Sequence, residues 1–329
     1  MIRYGILGFG LHARKRLIPA FAAAKDSRLV GLWRRDGQKA ATDATEFSLT
    51  AFSSPEALCS SPEVDAVFVT SPDSFHLEHV LVALRHDKHV LCEKPLAMNS
   101  TEAESMLLAA RDAGVHFGVA QNMRYNQSLT CIRQWISDGL IGAPQVVNIT
   151  FCHDAAQSPR VWISNPELAC GGPVADIGIH AIDALRYVLG HEVTEVSMLA
   201  HRDSASGAVE SHAALSLSLH SGAMASILLT TRARYRTCIE VTGSTGSIVC
   251  ENALNADYPI EVVLGRGLDG MERRETVNNG DAYSLMLDSF SAAIEGKGAY
   301  RAEASDGLKN QRILDASYAS WREGKSIRL

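Results

Sequence analysis

Three groups of residues in this 329-residue chain have the types that move protons and hydrides. Lys94 stands in Glu93-Lys94-Pro95, directly after the apolar run His89-Val90-Leu91-Cys92. Asp176 and His180 are four apart, so on a helix they share a face. Gly8-Phe9-Gly10-Leu11-His12-Ala13 has the spacing of a turn that brings bare backbone against a pyrophosphate. An ammonium stabilises a developing oxyanion, and an imidazole exchanges a proton near neutral pH. The chemistry these groups imply is hydride transfer between nicotinamide C4 and an alcohol or ketone carbon.

Such residues need strand ends and helix faces to hold them. Residues 3–7, 28–33, 64–70, 89–92 and 116–120 read as short buried strands. Helical patterns over 11–24, 36–47, 76–85 and 101–113 separate them, with Pro19 expected to kink or shorten the first. That alternation predicts β-α-β units and a parallel sheet with right-handed crossovers. Lys94 then lies just past the carboxyl end of a strand, where open α/β sheets place ligands. After residue 121 the pattern changes to alternating stretches at 144–152, 193–201, 212–219, 223–231, 236–242 and 247–250. A period of two predicts a largely antiparallel sheet with one covered face. The expected domains are 1–121, binding dinucleotide, and 122–329, binding substrate and supporting oligomers.

In the glycine turn, Gly8 allows the tight bend, Gly10 admits the pyrophosphate and Ala13 permits close helix–strand packing. Phe9 and Leu11 fill the turn, and the helix start offers unpaired N–H groups to phosphate. The second strand ends Trp33-Arg34-Arg35-Asp36. Arg34 and Arg35 can grip a 2′-phosphate, which favours NADP over NAD, although Asp36 offers the acid an NAD site would use. Thr70, Ser71, Pro72 and His76 are expected along the nucleotide, Glu93 on a ribose hydroxyl, and Gln121 and Asn122 near the nicotinamide. Arg124, Tyr125, Arg160 and Trp162 are candidate substrate contacts. On the helix with Asp176 and His180, Asp183 and Tyr187 continue a polar stripe opposite Ile177, Ala181, Ile182, Leu185, Val188 and Leu189. Such a stripe ordinarily faces solvent, but Gly171-Gly172-Pro173 introduces it and no lysine or glutamate decorates it. His180 is read as the general acid/base, Asp176 as its orienter or a hydroxyl ligand, and Lys94 as the group that polarises the oxygen.

These segments, with Thr70-Ser71-Pro72-Asp73-Ser74-Phe75-His76, Cys92-Glu93-Lys94-Pro95-Leu96-Ala97, Gly171 through His180 and Glu323-Gly324-Lys325, resemble the glucose-fructose oxidoreductase / inositol dehydrogenase / rhizopine catabolism (Gfo/Idh/MocA) family over nearly the whole chain. The resemblance implies an N-terminal Rossmann domain and a C-terminal α+β domain with a large, mostly antiparallel open sheet. It implies an NAD(P)-dependent dehydrogenase or reductase acting on a sugar or cyclitol hydroxyl or ketone. It puts Lys94, Asp176 and His180 in the catalytic site, suggests a cis Lys94–Pro95 bond, and leads one to expect a homodimer or homotetramer. Two other readings stand beside it: a non-catalytic NADP-sensing regulator, and a dihydrodiol or non-sugar carbonyl dehydrogenase of the same family.

Composition narrows the field further. The chain is 46% hydrophobic and 21% charged, with a formal net charge of −6. No global basic field exists to attract nucleic acid or an anionic membrane. The seven cysteines are scattered without a C-x-x-C pair, so no metal is expected. The strand pattern starts at once and no apolar run is long enough to span a bilayer. The expectation is a cytoplasmic protein acting on a small sugar-like molecule.

Overall fold

The computed structural model describes residues 1–155, 158–204, 207–255, 259–266 and 271–329. The chain divides into two compact units: Met1–Gln121 with Tyr283–Gln311, and Asn122–Ala282 with Arg312–Leu329. The expected second domain, 122–329, is therefore interrupted where Tyr283–Gln311 joins the first unit.

In the first unit, β1 (Ile2–Leu7), β2 (Ser27–Trp33), β3 (Thr50–Ala51), β4 (Ala66–Val69), β5 (His89–Cys92) and β6 (Phe117–Val119) form one sheet. Its order is β3-β2-β1-β4-β5-β6, and every pair is parallel. This is the doubly wound dinucleotide-binding topology, with its switch point between β1 and β4. Strand residues such as Tyr4, Ile6, Val67, Phe68, Val90 and Leu91 are fully buried, because helices cover both faces of a parallel sheet.

The helix after the glycine turn departs from a plain α-helix. Ala13–Leu17 is a π-helical turn, followed by α1 (Ile18–Ala23) with Pro19 in its first turn. Proline cannot donate to the preceding ladder, and the wider turn absorbs that missing bond. Helix α2 (Gly37–Phe47) is capped by Asp36, which accepts Lys39 N–H at 3.1 Å. The returning segment seals the β6 edge: Val119 N–H donates to Ala302 at 3.0 Å, and Tyr300 donates to Val119 at 3.0 Å. An unpaired edge strand is thereby covered.

In the second unit, β7 (Pro144–Asp154), β8 (Val193–His201), β9 (His212–Leu219), β10 (Met224–Thr230), β11 (Arg232–Gly243), β12 (Ser247–Glu251), β13 (Pro259–Arg266), β14 (Met271–Asn278) and β15 (Ile327–Arg328) form a nine-stranded sheet. The order is β14-β13-β12-β11-β7-β10-β9-β8-β15, antiparallel except where β7 meets β10. Along β9, Ala213, Leu215, Leu217 and Leu219 are buried and their alternates are not. The covered face packs in one core with residues of the helices Gln127–Ser137 and Ile179–Leu189. The other face exposes Val146, Leu199, Met224 and Leu228. Among the described residues, no helix is long and apolar enough to cross a membrane.

Candidate functional site

On the first unit, the expected nucleotide residues gather at the carboxyl ends of β1, β4 and β5. Gly8 has φ +90°, and an added Cβ would meet Ser71 N at 2.5 Å and Ser71 Cα at 2.6 Å. Only glycine allows both the backbone conformation and that approach. Thr70 closes the switch point: its N–H donates to Leu7 at 2.8 Å and its hydroxyl to Gly8 at 3.0 Å. At Gly10 an added Cβ would meet nothing nearer than the Gly8 carbonyl at 3.7 Å. The backbone there is open to a ligand, which fits a dinucleotide. Phe9 and Ala13 are buried in the packing beneath the turn, and Leu11 is exposed.

His76 is buried, its ring nitrogens 3.0 Å from the carbonyls of Pro95 and Ser71. It ties the loop after β4 to the loop after β5. Pro72 opens a short 3-10 turn, Asp73–Phe75, that leads into His76. Beyond β5 the Lys94–Pro95 bond is cis. Glu93 accepts the Lys94 N–H at 3.1 Å and sits 3.0 Å from His12 Nε2. Burial pushes the Glu93 carboxyl upward, but His12 and Lys94 outweigh it and hold the group down at about 2. Lys94 itself is half-buried.

At the end of β2, Arg34 Nη1 lies 2.6 Å from the buried carboxylate of Asp43, which Arg14 also contacts. Arg35 is exposed. Asp36 is held below the usual carboxylate range, chiefly by the Lys39 N–H of its own cap. Gln121, just past β6, is buried, and among the described residues neither of its amide atoms has a hydrogen-bond partner. A buried carboxamide with both ends unmet requires an explanation, and a bound polar group supplies one.

On the second unit, the helix that carries Asp176 and His180 starts as a π-helical turn, Val174–Gly178, and continues as α-helix Ile179–Leu189. The polar stripe is not solvated. Asp176 forms a two-bond pair with Arg160, Nη1–Oδ1 3.1 Å and Nη2–Oδ2 2.9 Å. Asp183 does the same with Arg124, at 2.9 and 2.7 Å. The Tyr187 ring lies under two guanidinium groups, Arg133 at 4.6 Å and Arg124 at 5.6 Å. His180 is buried on the same stripe. Each acid is thus matched to an arginine, as burial of charge demands. Arg124 and Arg160, read from sequence as substrate contacts, both serve these pairs. Tyr125 and Asn122 are buried, and Trp162 is half-buried in the turn Val161–Ser164.

Sequence reasoning missed Asp43, Glu210 and Tyr318. Glu210 and Tyr318 have partners far along the chain, Asp43 meets Arg34 nine residues back, and no local motif marks any of the three. Among the described residues, no group of three metal-binding side chains occurs. None of the seven cysteines is in a disulfide, and burial pushes the thiols of Cys59, Cys131 and Cys250 up to about 12.

Comparison with known proteins gives this geometry a family. Residues 2–121 match the oxidoreductase family with an NAD-binding Rossmann fold, and residues 130–249 match the GFO/IDH/MocA C-terminal domain. The chain is 32% identical to the 1,5-anhydro-D-fructose reductase of Ensifer adhaerens, over 94% of its own length and 92% of the relative's. It is 29% identical to the inositol 2-dehydrogenase of Rhizobium meliloti, over 99% of its own length and 98% of the relative's. Among solved structures, the aldose-aldose oxidoreductase of Caulobacter crescentus, complexed with glycerol, superimposes with a TM-score of 0.92 at 27% identity, covering 100% of this chain and 99% of that one. The chain belongs to the Gfo/Idh/MocA family of oxidoreductases, enzymes with an NAD(P)-binding Rossmann domain whose named members act on sugars and cyclitols.

Proposed function

We propose that this chain interconverts a sugar- or cyclitol-type hydroxyl and its ketone with NADP in preference to NAD. The observation that carries the reading is Gln121. Its carboxamide is buried at the carboxyl edge of the Rossmann sheet with both polar atoms unmet, and the amide of a nicotinamide complements it. Gly8, Gly10, Thr70, Ser71, Glu93 and Gln121 would hold the nucleotide. When bound, the nicotinamide supplies or accepts the hydride at C4. Lys94 stabilises charge on the substrate oxygen, and His180 takes or returns the hydroxyl proton. Asp176, paired with Arg160, orients that chemistry or receives a substrate hydroxyl.

The NADP preference is supported at the end of β2. Asp36, the acid that would favour NAD, is engaged in capping α2. Arg34 is held in one position by Asp43, and Arg35 is exposed. The same reading makes the protein a homodimer or homotetramer through the uncovered face of the large sheet, which light scattering tests.

The deciding experiment is a panel of keto-sugars, aldoses, sugar phosphates and cyclitols, headed by 1,5-anhydro-D-fructose, assayed by reduced-nucleotide absorbance with both nucleotides. Turnover faster with NADP(H) is the expected result. Nucleotide binding without turnover of any compound would make the chain a sensor instead.

A further inference from the structure

Glu210 is a charged side chain only 2% exposed, lying just before β9. Among the described residues its carboxylate is not paired with a cation. Oε2 accepts the Gly172 N–H at 3.1 Å; Oε1 accepts the Val174 N–H at 3.0 Å and the Tyr318 hydroxyl at 2.9 Å. Pro173 lies between the two backbone donors and has none of its own. The carboxylate therefore takes both N–H groups that the turn Gly172-Pro173-Val174 offers, at the electropositive start of a helix. Tyr318 supplies a third bond. Burial, and then the charge of Glu210, hold its phenol far above the ordinary range, so it stays a donor.

The two glycines before the proline are explained by the same contact. Neither has a positive φ, so conformation does not require them. An added Cβ on Gly171 would land on the Tyr318 hydroxyl, and one on Gly172 would land on the Glu210 backbone carbonyl and 3.0 Å from its carboxyl carbon. The backbone must approach this closely for the carboxylate to reach it. The hold then passes directly to the functional residues. Asp176 N–H donates to Gly172 O at 2.9 Å, closing the first turn on the residue Glu210 grips.

We infer that Glu210 and Tyr318 are positioning residues for the reaction: a buried carboxylate–phenol clamp that fixes where the helix of Asp176 and His180 begins. The inference rests on the reading that those two side chains carry the chemistry. Loss of one clamp bond leaves a buried polar group short of a partner and loosens the helix start. A displacement on the order of 1 Å in a reacting group costs about 10²-fold in rate.

The test uses the full chain and the variants Tyr318→Phe, Glu210→Gln and His180→Asn. One readout needs no substrate: histidine-ring NMR, with the His180 resonance identified by its loss in His180→Asn. The second is turnover of whichever panel sugar the wild type converts, with reduced-nucleotide affinity measured by fluorescence. Tyr318→Phe keeps the carboxylate and both N–H bonds. It should shift the His180 resonance and lower kcat about 10-fold, while nucleotide affinity stays unchanged because the Rossmann unit is untouched. Glu210→Gln turns an amide N–H₂ toward a backbone N–H and should lower kcat about 10²-fold with the same unchanged affinity. If Glu210→Gln fails to fold, Tyr318→Phe decides. An unmoved His180 resonance and wild-type kcat in a folded clamp variant, with His180→Asn inactive, would overturn the clamp. Normal turnover in His180→Asn would instead remove His180 from the chemistry, and the resonance shift alone would then decide whether the clamp sets the helix.

Discussion

In the first unit, Lys94 is placed by neighbouring strand ends. Thr70 bonds to Leu7 and Gly8, His76 bridges Ser71 and Pro95, and Glu93 accepts the Lys94 N–H. All of these partners sit at the carboxyl ends of parallel strands, which the topology brings side by side. In the second unit, Asp176 and His180 ride on a helix held by side chains. Arg160 takes Asp176, Arg124 takes Asp183, and Glu210 takes the helix start. A parallel sheet collects its loops at one edge by backbone alone. A meandering antiparallel sheet offers no such edge, and buried charge does the placing instead. Function and stability should therefore separate in the first unit and couple in the second.

Lys94→Ala is the sharpest probe of that separation. It should lower turnover by about 10³-fold, since on the proposed reading it removes the ammonium that stabilises charge on the substrate oxygen. Nucleotide affinity and thermal midpoint should stay near wild type. A large fall in the midpoint would mean that Lys94 also holds the strand ends together, and the contrast would fail. His180→Asn should lower turnover by about 10²-fold and flatten the neutral limb of the pH–rate profile. An unchanged profile reassigns the proton to another group.

The coupled side is tested by Asp183→Asn. The pair with Arg124 has side chains 6% and 2% exposed. Its loss strips the buried Arg124 guanidinium of this carboxylate, worth about 3 kcal/mol of stability, and turnover should fall with it. Asp65→Asn is the matched control in the first unit. Asp65 pairs with Arg3 at 30% and 33% exposure, where about 1 kcal/mol or less is expected. Equal losses in chemical denaturation would erase the distinction. A smaller effect belongs to Arg34→Asp, which should move the NADP/NAD preference about 10-fold toward NAD. If the ratio stays put, the end of β2 does not read the 2′-phosphate.

The same contrast explains what the sequence disclosed. The Rossmann sheet, its glycine turn and the shift to period-two strands after residue 121 are local patterns, and the structure follows them closely. The strands at Pro259–Arg266 and Met271–Asn278 were not anticipated; they lie beyond the last alternating stretch read. Nor was the return of Tyr283–Gln311 to the first unit, because sealing the edge of β6 depends on contacts about 180 residues away, such as Tyr300 to Val119. The polar stripe was visible, but its burial was not. Partners such as Arg160, Arg124 and Arg133 compensate a buried stripe, and nothing local announces them. The π-helical start at Val174–Gly178 likewise depends on the distant Glu210.

His12 and Glu93 allow the comparison to be tested by acid. Burial alone would raise the Glu93 carboxyl, yet His12, followed by Lys94, carries it down from 4.5 to about 2. A carboxyl depressed in the folded state contributes stability that is fully present above its unfolded value near 4.5 and is lost as the pH falls toward about 2. His12→Ala leaves burial as the dominant influence. The folded carboxyl value should rise, and the acid-unfolding limb, followed by tryptophan fluorescence, should begin at higher pH than in the wild type. Turnover at neutral pH should change little, since Lys94 and the strand ends keep their backbone support. An acid limb that overlays the wild type would mean that Lys94 and the backbone N–H alone hold Glu93. The first unit would then position its chemistry without help from the His12–Glu93 pair.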